Sequence, residues 1–257
     1  MKLSMKKLTL AGLLILSLGA CGQQNDSKNS VQNEPASSKQ VEQSSTRKER
    51  RSSEASSSDD SDKSTKKAGE VTVDKGVSFN GSYYSVQGKS GDIVIANKHY
   101  PLAADYNPGE DPTAVAALHE LIAAMQAEGY AISDQYSGFR SYETQVDLYQ
   151  SYVNKDGVAA ADRYSARPGY SEHQTGLAFD LIDTSGNLVQ EAGASKWLLK
   201  NAAKYGFIVR YQEGKEASTG YMPESWHLRY IGEDAKDVAA SGKSLEEYFN
   251  FTGGDYE

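Results

Sequence analysis

The chain of 257 residues carries 27 basic and 35 acidic side chains, a net charge of -8, and one cysteine, a length that suits one or two domains. A lone cysteine excludes a disulfide scaffold, and the residues beyond 68 hold 15 basic against 27 acidic groups, a surplus that repels phosphate backbones and argues against nucleic-acid binding. Every aromatic side chain (17 Tyr, 6 Phe, 2 Trp) lies at Phe79 or later, so the first third of the chain has no means of building a packed core.

At the front, Lys2, Lys6 and Lys7 precede a mostly apolar run from Leu8 to Leu18, which is too short to span a bilayer stably and reads as an export signal. Leu18-Gly19-Ala20-Cys21 resembles a bacterial lipobox, which implies lipidation of Cys21, loss of the signal and residence on the outer face of the cytoplasmic membrane, facing the wall. The alternative is an ordinary signal peptide in which Cys21 is incidental. Residues 22–68 hold 13 Ser among 47 positions and only five apolar side chains, too few to offset the entropy of ordering a backbone. They predict a disordered tether of roughly 40 Å reach. The expected organisation is a signal over 1–21, a tether over 22–70 and a folded domain over 71–257.

Short strands and turns are predicted between Val71 and Leu102, broken by Gly76, Gly81, Gly88 and Gly91, and placed on the rim of the domain. Asp111-Pro112-Thr113 opens a helix with Val115, Leu118, Leu121, Ile122 and Met125 on one stripe and Gly129 as its stop. His119 falls well off that stripe and reads as a surface residue. A strand follows over Tyr130 to Tyr136, then a helix from Ser141 to Gly157 carrying Val146, Tyr149 and Val153. A third helix is expected from Ser195 to Tyr205, stopped by Gly206. Gly176 to Ile182, Phe207 to Tyr211 and Ser225 to Ile231 read as strands, with a last helical region after Gly232 anchored by Leu245 and Tyr248. This mixed order predicts an α+β fold, a mostly antiparallel sheet with flanking helices. No dinucleotide or P-loop glycine signature is present.

Two stretches carry chemistry. In Ser171-Glu172-His173-Gln174-Thr175-Gly176-Leu177-Ala178-Phe179-Asp180, strand alternation puts Asp180 on a face shared with Gly176 and Ala178, whose small size leaves room for a ligand or ion. In Glu224-Ser225-Trp226-His227, a continuous strand would turn Glu224 and His227 to opposite sides, so both reach one centre only if Glu224 sits in the loop after Pro223. Two histidines and a carboxylate make an N/N/O set that suits a catalytic zinc with a fourth position for water. A structural His–Asp pair is the bland reading. A Ser-His-Asp hydrolase built from Ser171, His173 and Asp180 lacks the G-x-S-x-G elbow and leaves Glu224 and His227 without a task.

Ser-x-His-x-x-Gly-x-Ala-x-Asp at Ser171 to Asp180, with Glu-x-Trp-His at Glu224 to His227, resembles the zinc D-alanyl carboxypeptidase family that includes the vancomycin-resistance-type D,D-carboxypeptidases. Ser137-Gly138-Phe139-Arg140-Ser141 with Gln145, and Asn97 to Leu102, extend the likeness. With the lipobox and tether, it looks most like the surface-anchored L,D-carboxypeptidase branch. The resemblance implies one Zn2+ per chain on the sheet face, held by His173, Asp180 and His227, with Glu224 as general base. Arg140 is the candidate for gripping a terminal carboxylate or the oxyanion. Ser137, Gln145 and Ser171, and more weakly Tyr211, are candidates for contacts with substrate. Trp226 and Tyr230 could line the cleft or pack in the core, and His99 matches no ligand position.

The implied activity is release of the terminal D-alanine from peptidoglycan stem peptides, tetrapeptides in the L,D branch or pentapeptides in the D,D branch. The rivals are a non-catalytic wall-binding lipoprotein, which would be expected to lack the base or a ligand, and a solute-binding lipoprotein, for which the folded part is small.

Overall fold

A computed structural model describes residues 73–256, so the expected export signal, Cys21 and the tether lie outside the described residues. Among the described residues no helix is long and apolar enough to cross a membrane.

Two antiparallel sheets organise the domain. β1 (Val77–Phe79), β2 (Tyr84–Gln87) and β3 (Asp92–Ile95) form a meander. β4 (Ile132–Ser137), β5 (Ala178–Asp183), β6 (Phe207–Tyr211) and β7 (Glu224–Tyr230) pair in the order β4-β5-β7-β6. Among the described residues seven helices connect or flank them: α1 (Pro112–Ala127), α2 (Tyr142–Asp156), α3 (Val158–Ala161), α4 (Ala192–Asn201), α5 (Glu216–Thr219), α6 (Ala235–Ser241) and α7 (Leu245–Phe249). The α+β class expected from the element order is the class observed.

α1 starts where its local chemistry says it should. Asp111 accepts a hydrogen bond from the Ala114 amide at 2.8 Å, and Pro112 occupies the first turn, where no amide donor is needed. Leu118, Leu121, Ile122 and Met125 recur at helical spacing and are buried against the sheet, contributing about 1.5–3 kcal/mol each. His119 is on the exposed side. α4 begins earlier than expected because Glu191, not Ser195, caps it, accepting from the Gly193 and Ala194 amides at 2.8 and 2.7 Å. The three-residue-longer start leaves the stop at Gly206 unchanged, reached through a 3-10 turn over Ala202–Tyr205.

α1 and α4 cover one face of the four-stranded sheet, where Leu118, Met125 and Leu198 cluster with Phe179, Leu181, Phe207, Val209 and Leu228. Strand alternation then turns Asp180, Arg210, His227 and Arg229 to the opposite face. Part of that face is covered by the three-stranded sheet. Val86, Ile93 and Ile95 pack with Ile208, Ile231, Val238 and Leu245 in a second core cluster, so the N-terminal strands build interior rather than the rim expected of them.

α2 is capped as expected, Ser141 Oγ accepting from the Thr144 amide at 3.2 Å. Its apolar face is not the one expected: Val146 is 40% exposed, and Gln145 is the buried residue of the helix. α2 lies beside the cleft, where Leu148 and Tyr152 line the wall and Gln145 is held inward by its hydrogen bonds to Arg140 and the Ala166 carbonyl.

Candidate metal centre

The first motif folds into a 3-10 turn, Glu172–Thr175, that runs into β5. Gly176 ends the turn at φ 72°, and a Cβ there would lie 1.9 Å from the Gly109 carbonyl oxygen. Only glycine satisfies both the left-handed backbone and that approach, which explains its place between His173 and Asp180. Asp180 then pairs with Ser137 of β4 on one side and His227 of β7 on the other, so three site residues form one row across the sheet.

Glu224 corrects the expectation that it lies in a loop, because it is the first residue of β7 and pairs with Tyr211. The β6–β7 register runs Val209↔Leu228 and then Tyr211↔Glu224, so β7 carries two more residues than β6 across that interval. This irregularity breaks the two-residue alternation. Glu224 Oε2 consequently reaches within 3.5 Å of His227 Nδ1 from a position that regular pleating would aim away.

His173, Asp180 and His227 are all buried, and one ligand atom from each lies within 4.8 Å of the others. His173 Nε2 is 3.1 Å from Asp180 Oδ2, and His227 Nδ1 is 3.1 Å from Asp180 Oδ1. The far nitrogens are also engaged: His173 Nδ1 is 2.8 Å from the Gly138 carbonyl oxygen, and His227 Nε2 is 3.3 Å from Glu172 Oε2. A histidine whose outer nitrogen donates to an oxygen has its inner lone pair free for a cation. Asp180 Oδ1 is buried without a hydrogen-bond partner, its approach to His227 notwithstanding. An orphaned carboxylate oxygen between two inward imidazole nitrogens fits a divalent metal with an N/N/O set.

Electrostatics agree with the geometry. Burial pushes Asp180 towards its neutral form, but the neighbouring His173 and His227 prevail and hold it well below the usual carboxylate range. Burial likewise disfavours a charged His227, yet Asp180 and Glu172 raise it to about 10. Glu224 is pushed up to about 8, first by burial and then by Asp180 and Glu172, against the pull of His227 and Arg140. A buried carboxyl poised near neutral pH in a cleft has the character of a proton-transfer group.

The cleft around these residues has a volume of about 310 Å³ and is also lined by Arg140, Ser171, Tyr211 and Trp226. A larger groove of about 640 Å³, between the β2–β3 turn, α1 and the end of β7, contains none of His173, Asp180, Glu224 or His227 and is not this site. Arg140 donates to Gln145 Oε1 at 2.9 Å and to Ser137 Oγ at 3.3 Å, and Gln145 is itself tied to the Ala166 carbonyl at 2.6 Å. Ser137 and Gln145 therefore hold the guanidinium, and Gln145, only 1% exposed, meets the cleft through it. The Tyr211 ring stands 4.8 Å from that of His227. Tyr230 borders the larger groove and packs on Phe207, whereas Trp226 both lines the cleft and touches the core. His99 is buried against Tyr100, away from the ligand cluster.

Motifs did not point to Tyr152, Tyr164, Leu188 or Met222, which also line the cleft. At Leu188 and Met222 the one signal is apolar exposure, 38% and 37%. Glu172, inside the first motif, was also without an assigned role.

Residues 109–233, which include every one of these site residues, match the family model described as VanY, D-alanyl-D-alanine carboxypeptidase. A D-alanyl-D-alanine carboxypeptidase of Enterococcus faecalis is 34% identical over 182 residues, 62% of this chain and 65% of the relative. The crystal structure of the L,D-carboxypeptidase DacB of Streptococcus pneumoniae is similar with a TM-score of 0.69 at 68% identity, covering 70% of this chain and 98% of that one. A variant of the vancomycin-resistance D,D-pentapeptidase VanY in complex with Zn(II) is similar with a TM-score of 0.53 at 32% identity, covering 61% of this chain and 97% of that one. With the paired motifs converging on one buried cluster, the chain belongs to the D-alanyl-D-alanine carboxypeptidase family of VanY.

Proposed function

We propose that the protein is a zinc carboxypeptidase that releases the terminal D-alanine from peptidoglycan stem peptides, acting on tetrapeptides at an L,D bond. The observation that carries this reading is the buried His173, Asp180 and His227 cluster with Glu224 beside it and Arg140 across the same cleft. The choice of an L,D bond is supported by the 68% identity to a structure named as an L,D-carboxypeptidase, against 32% to the D,D-pentapeptidase.

His173, Asp180 and His227 would hold the zinc, which when bound supplies Lewis acidity that lowers the pKa of water towards about 7. A nearby cation favours the carboxylate form of Glu224. Glu224 then accepts the proton of the attacking water and returns it to the leaving amine of D-alanine. Arg140, clamped by Ser137 and Gln145, presents fixed positive charge to an anionic oxygen of the substrate, either its terminal carboxylate or the charge that builds on the cleaved carbonyl. Ser171 and Tyr211 border the space where the peptide would lie.

The lipobox-like Leu18 to Cys21 and the Ser-rich segment support a membrane-anchored enzyme working on the wall across a flexible tether. Incubating the purified domain and zinc with tetra- and pentapeptide stems tests the catalytic reading. D-alanine from the tetrapeptide, abolished by chelator, is the expected result. Release from the pentapeptide alone would make the enzyme D,D-specific, and no release from either would leave a binding protein. Cys21→Ala should shift the protein from the membrane fraction to the medium, and unchanged fractionation would sink the anchor.

A further inference from the structure

The face of the sheet that carries the ligand cluster also buries four charges that the reaction above does not use. Glu172, Arg210, Arg229 and Glu246 are each 3% exposed or less. Glu172 Oε1 accepts from the Nε of Arg210 at 2.8 Å and lies 3.1 Å from the Nη1 of Arg229, an ion pair in which Nη1 makes no hydrogen bond. Arg210 forks onto Glu246, Nη1 to Oε2 at 2.9 Å and Nη2 to Oε1 at 2.5 Å. Arg229 Nη2 donates to the Val94 carbonyl at 2.7 Å, and Asn97 Nδ2 donates to Glu246 Oε1 at 3.2 Å. Two guanidinium groups thus face two carboxylates, and the charges match within the network without any contribution from a histidine.

This balance leaves the second oxygen of Glu172 with one neighbour, His227 Nε2 at 3.3 Å. Carboxylates face both ring nitrogens and only accept, so when Nδ1 is given to a cation beside Asp180 the one proton of an uncharged His227 sits on Nε2, where Glu172 accepts it. Its Nδ1, 3.1 Å from Asp180, is then a lone pair aimed at the cluster. His173 is oriented in the opposite sense, with its Nδ1 on the Gly138 carbonyl and its Nε2 inward.

We propose that Glu172 is a positioning residue that selects the Nε2–H tautomer of His227 and so presents Nδ1 to the metal, with Arg210 and Arg229 locking the carboxylate in place. The proposal rests on the metal-site reading and extends it to a residue one position before a ligand in sequence and bonded to a different ligand in space. It also links the site to α7 through Arg210 and Glu246.

The isosteric change Glu172→Gln tests it sharply. Arg210 Nε donates to the Oε1 position and the Arg229 guanidinium lies 3.1 Å from it, so the carbonyl oxygen of the amide sits there and its NH2 faces His227. That NH2 needs an acceptor, which forces His227 to place its proton on Nδ1, the nitrogen that has to bind metal. Zinc affinity, measured by competition with a chromophoric chelator, should fall about 10- to 100-fold, and the visible spectrum of the Co2+-loaded protein should change. Glu246→Gln breaks the outer fork but leaves Glu172 on Arg229 and His227, so it should lower thermal stability while zinc affinity stays within about threefold. Equal affinity in wild type and Glu172→Gln overturns the proposal, as does a loss in Glu246→Gln as large as in Glu172→Gln.

A Glu172→Gln protein that does not fold leaves a measurement on wild type. Long-range 15N–1H correlation of the histidine rings in the zinc-loaded protein should show His227 protonated at Nε2, and a proton on Nδ1 overturns the proposal. A wild-type protein that binds no zinc fails the metal reading itself, which is a separate outcome from wild-type zinc binding that Glu172→Gln leaves unchanged.

Discussion

Replacing Glu224 by Gln removes a group that the folded, metal-free protein holds in an unfavourable setting. The residue is 7% exposed, and its carboxyl is raised from 4.5 to about 8, chiefly by burial. Between those two values the unfolded chain has released its proton and the folded chain has not, so stability falls as pH rises. The fall is about 1.4 kcal/mol per pH unit, on the order of 4 kcal/mol by about pH 7.5. Glutamine keeps the shape without the titration. In the presence of chelator, Glu224→Gln should therefore melt higher than wild type at about pH 7.5, by on the order of 10 °C for a domain of this size. The gap should close near pH 4.5, where the unfolded wild-type chain is protonated too. Adding zinc should narrow it at neutral pH, because the cation favours the carboxylate. The assay is thermal unfolding of both proteins across that pH range, with turnover measured in parallel and expected to be lost in the variant. A difference that does not vary with pH, or a wild type that is the more stable at neutral pH, refutes the reasoning.

His173→Ala and Asp180→Asn should each abolish stoichiometric zinc, read by elemental analysis after gel filtration, while retaining the far-UV circular dichroism of the wild type. Zinc binding should release at least one proton, because His227 is raised to about 10 without metal and must be neutral to bind. Apparent affinity should then climb up to about tenfold per pH unit near neutrality, and calorimetry in buffers of different ionisation enthalpy counts the proton. Gln145→Ala frees one edge of Arg140 and should lower kcat/KM by on the order of 10²-fold at unchanged zinc content, a misplacement effect. Gly176→Ala should destabilise the fold by about 3 kcal/mol through left-handed strain and overpacking. Gly176→Asn, which tolerates the backbone angle, should not restore stability, because its Cβ meets the same Gly109 oxygen.

Much of the site was legible before any coordinates, and the reason is that its signals are local. Asp111 and Ser141 cap their helices through atoms three residues away, Gly206 stops its helix through its own φ, and Asp180 faces the small residues that alternation places beside it. The Ser171 to Asp180 and Glu224 to His227 motifs are each compact enough to carry the family resemblance that implied His173, Asp180 and His227 as ligands, and the structure brings those three residues together.

What the sequence left open depends on partners far along the chain. Regular pleating sends Glu224 away from His227, and only the unequal count of residues between β6 and β7 returns it to the centre. Val146 has the composition of a buried helix position and Gln145 does not, yet Arg140 and Ala166 make Gln145 the buried one. The pairing of Glu172 with Arg210, and of Arg210 with Glu246, spans 38 and 36 residues. A charged residue carries no mark of its partner, because ion pairing is set by where the backbone delivers two side chains and not by their neighbours in the chain. The candidate ligand set was therefore legible in the sequence, through the resemblance its motifs carry. The orientation of those residues, the setting that moves Glu224 to about 8 and the buried charges behind His227 were decided by tertiary packing, since burial and distance are what set electrostatic energies.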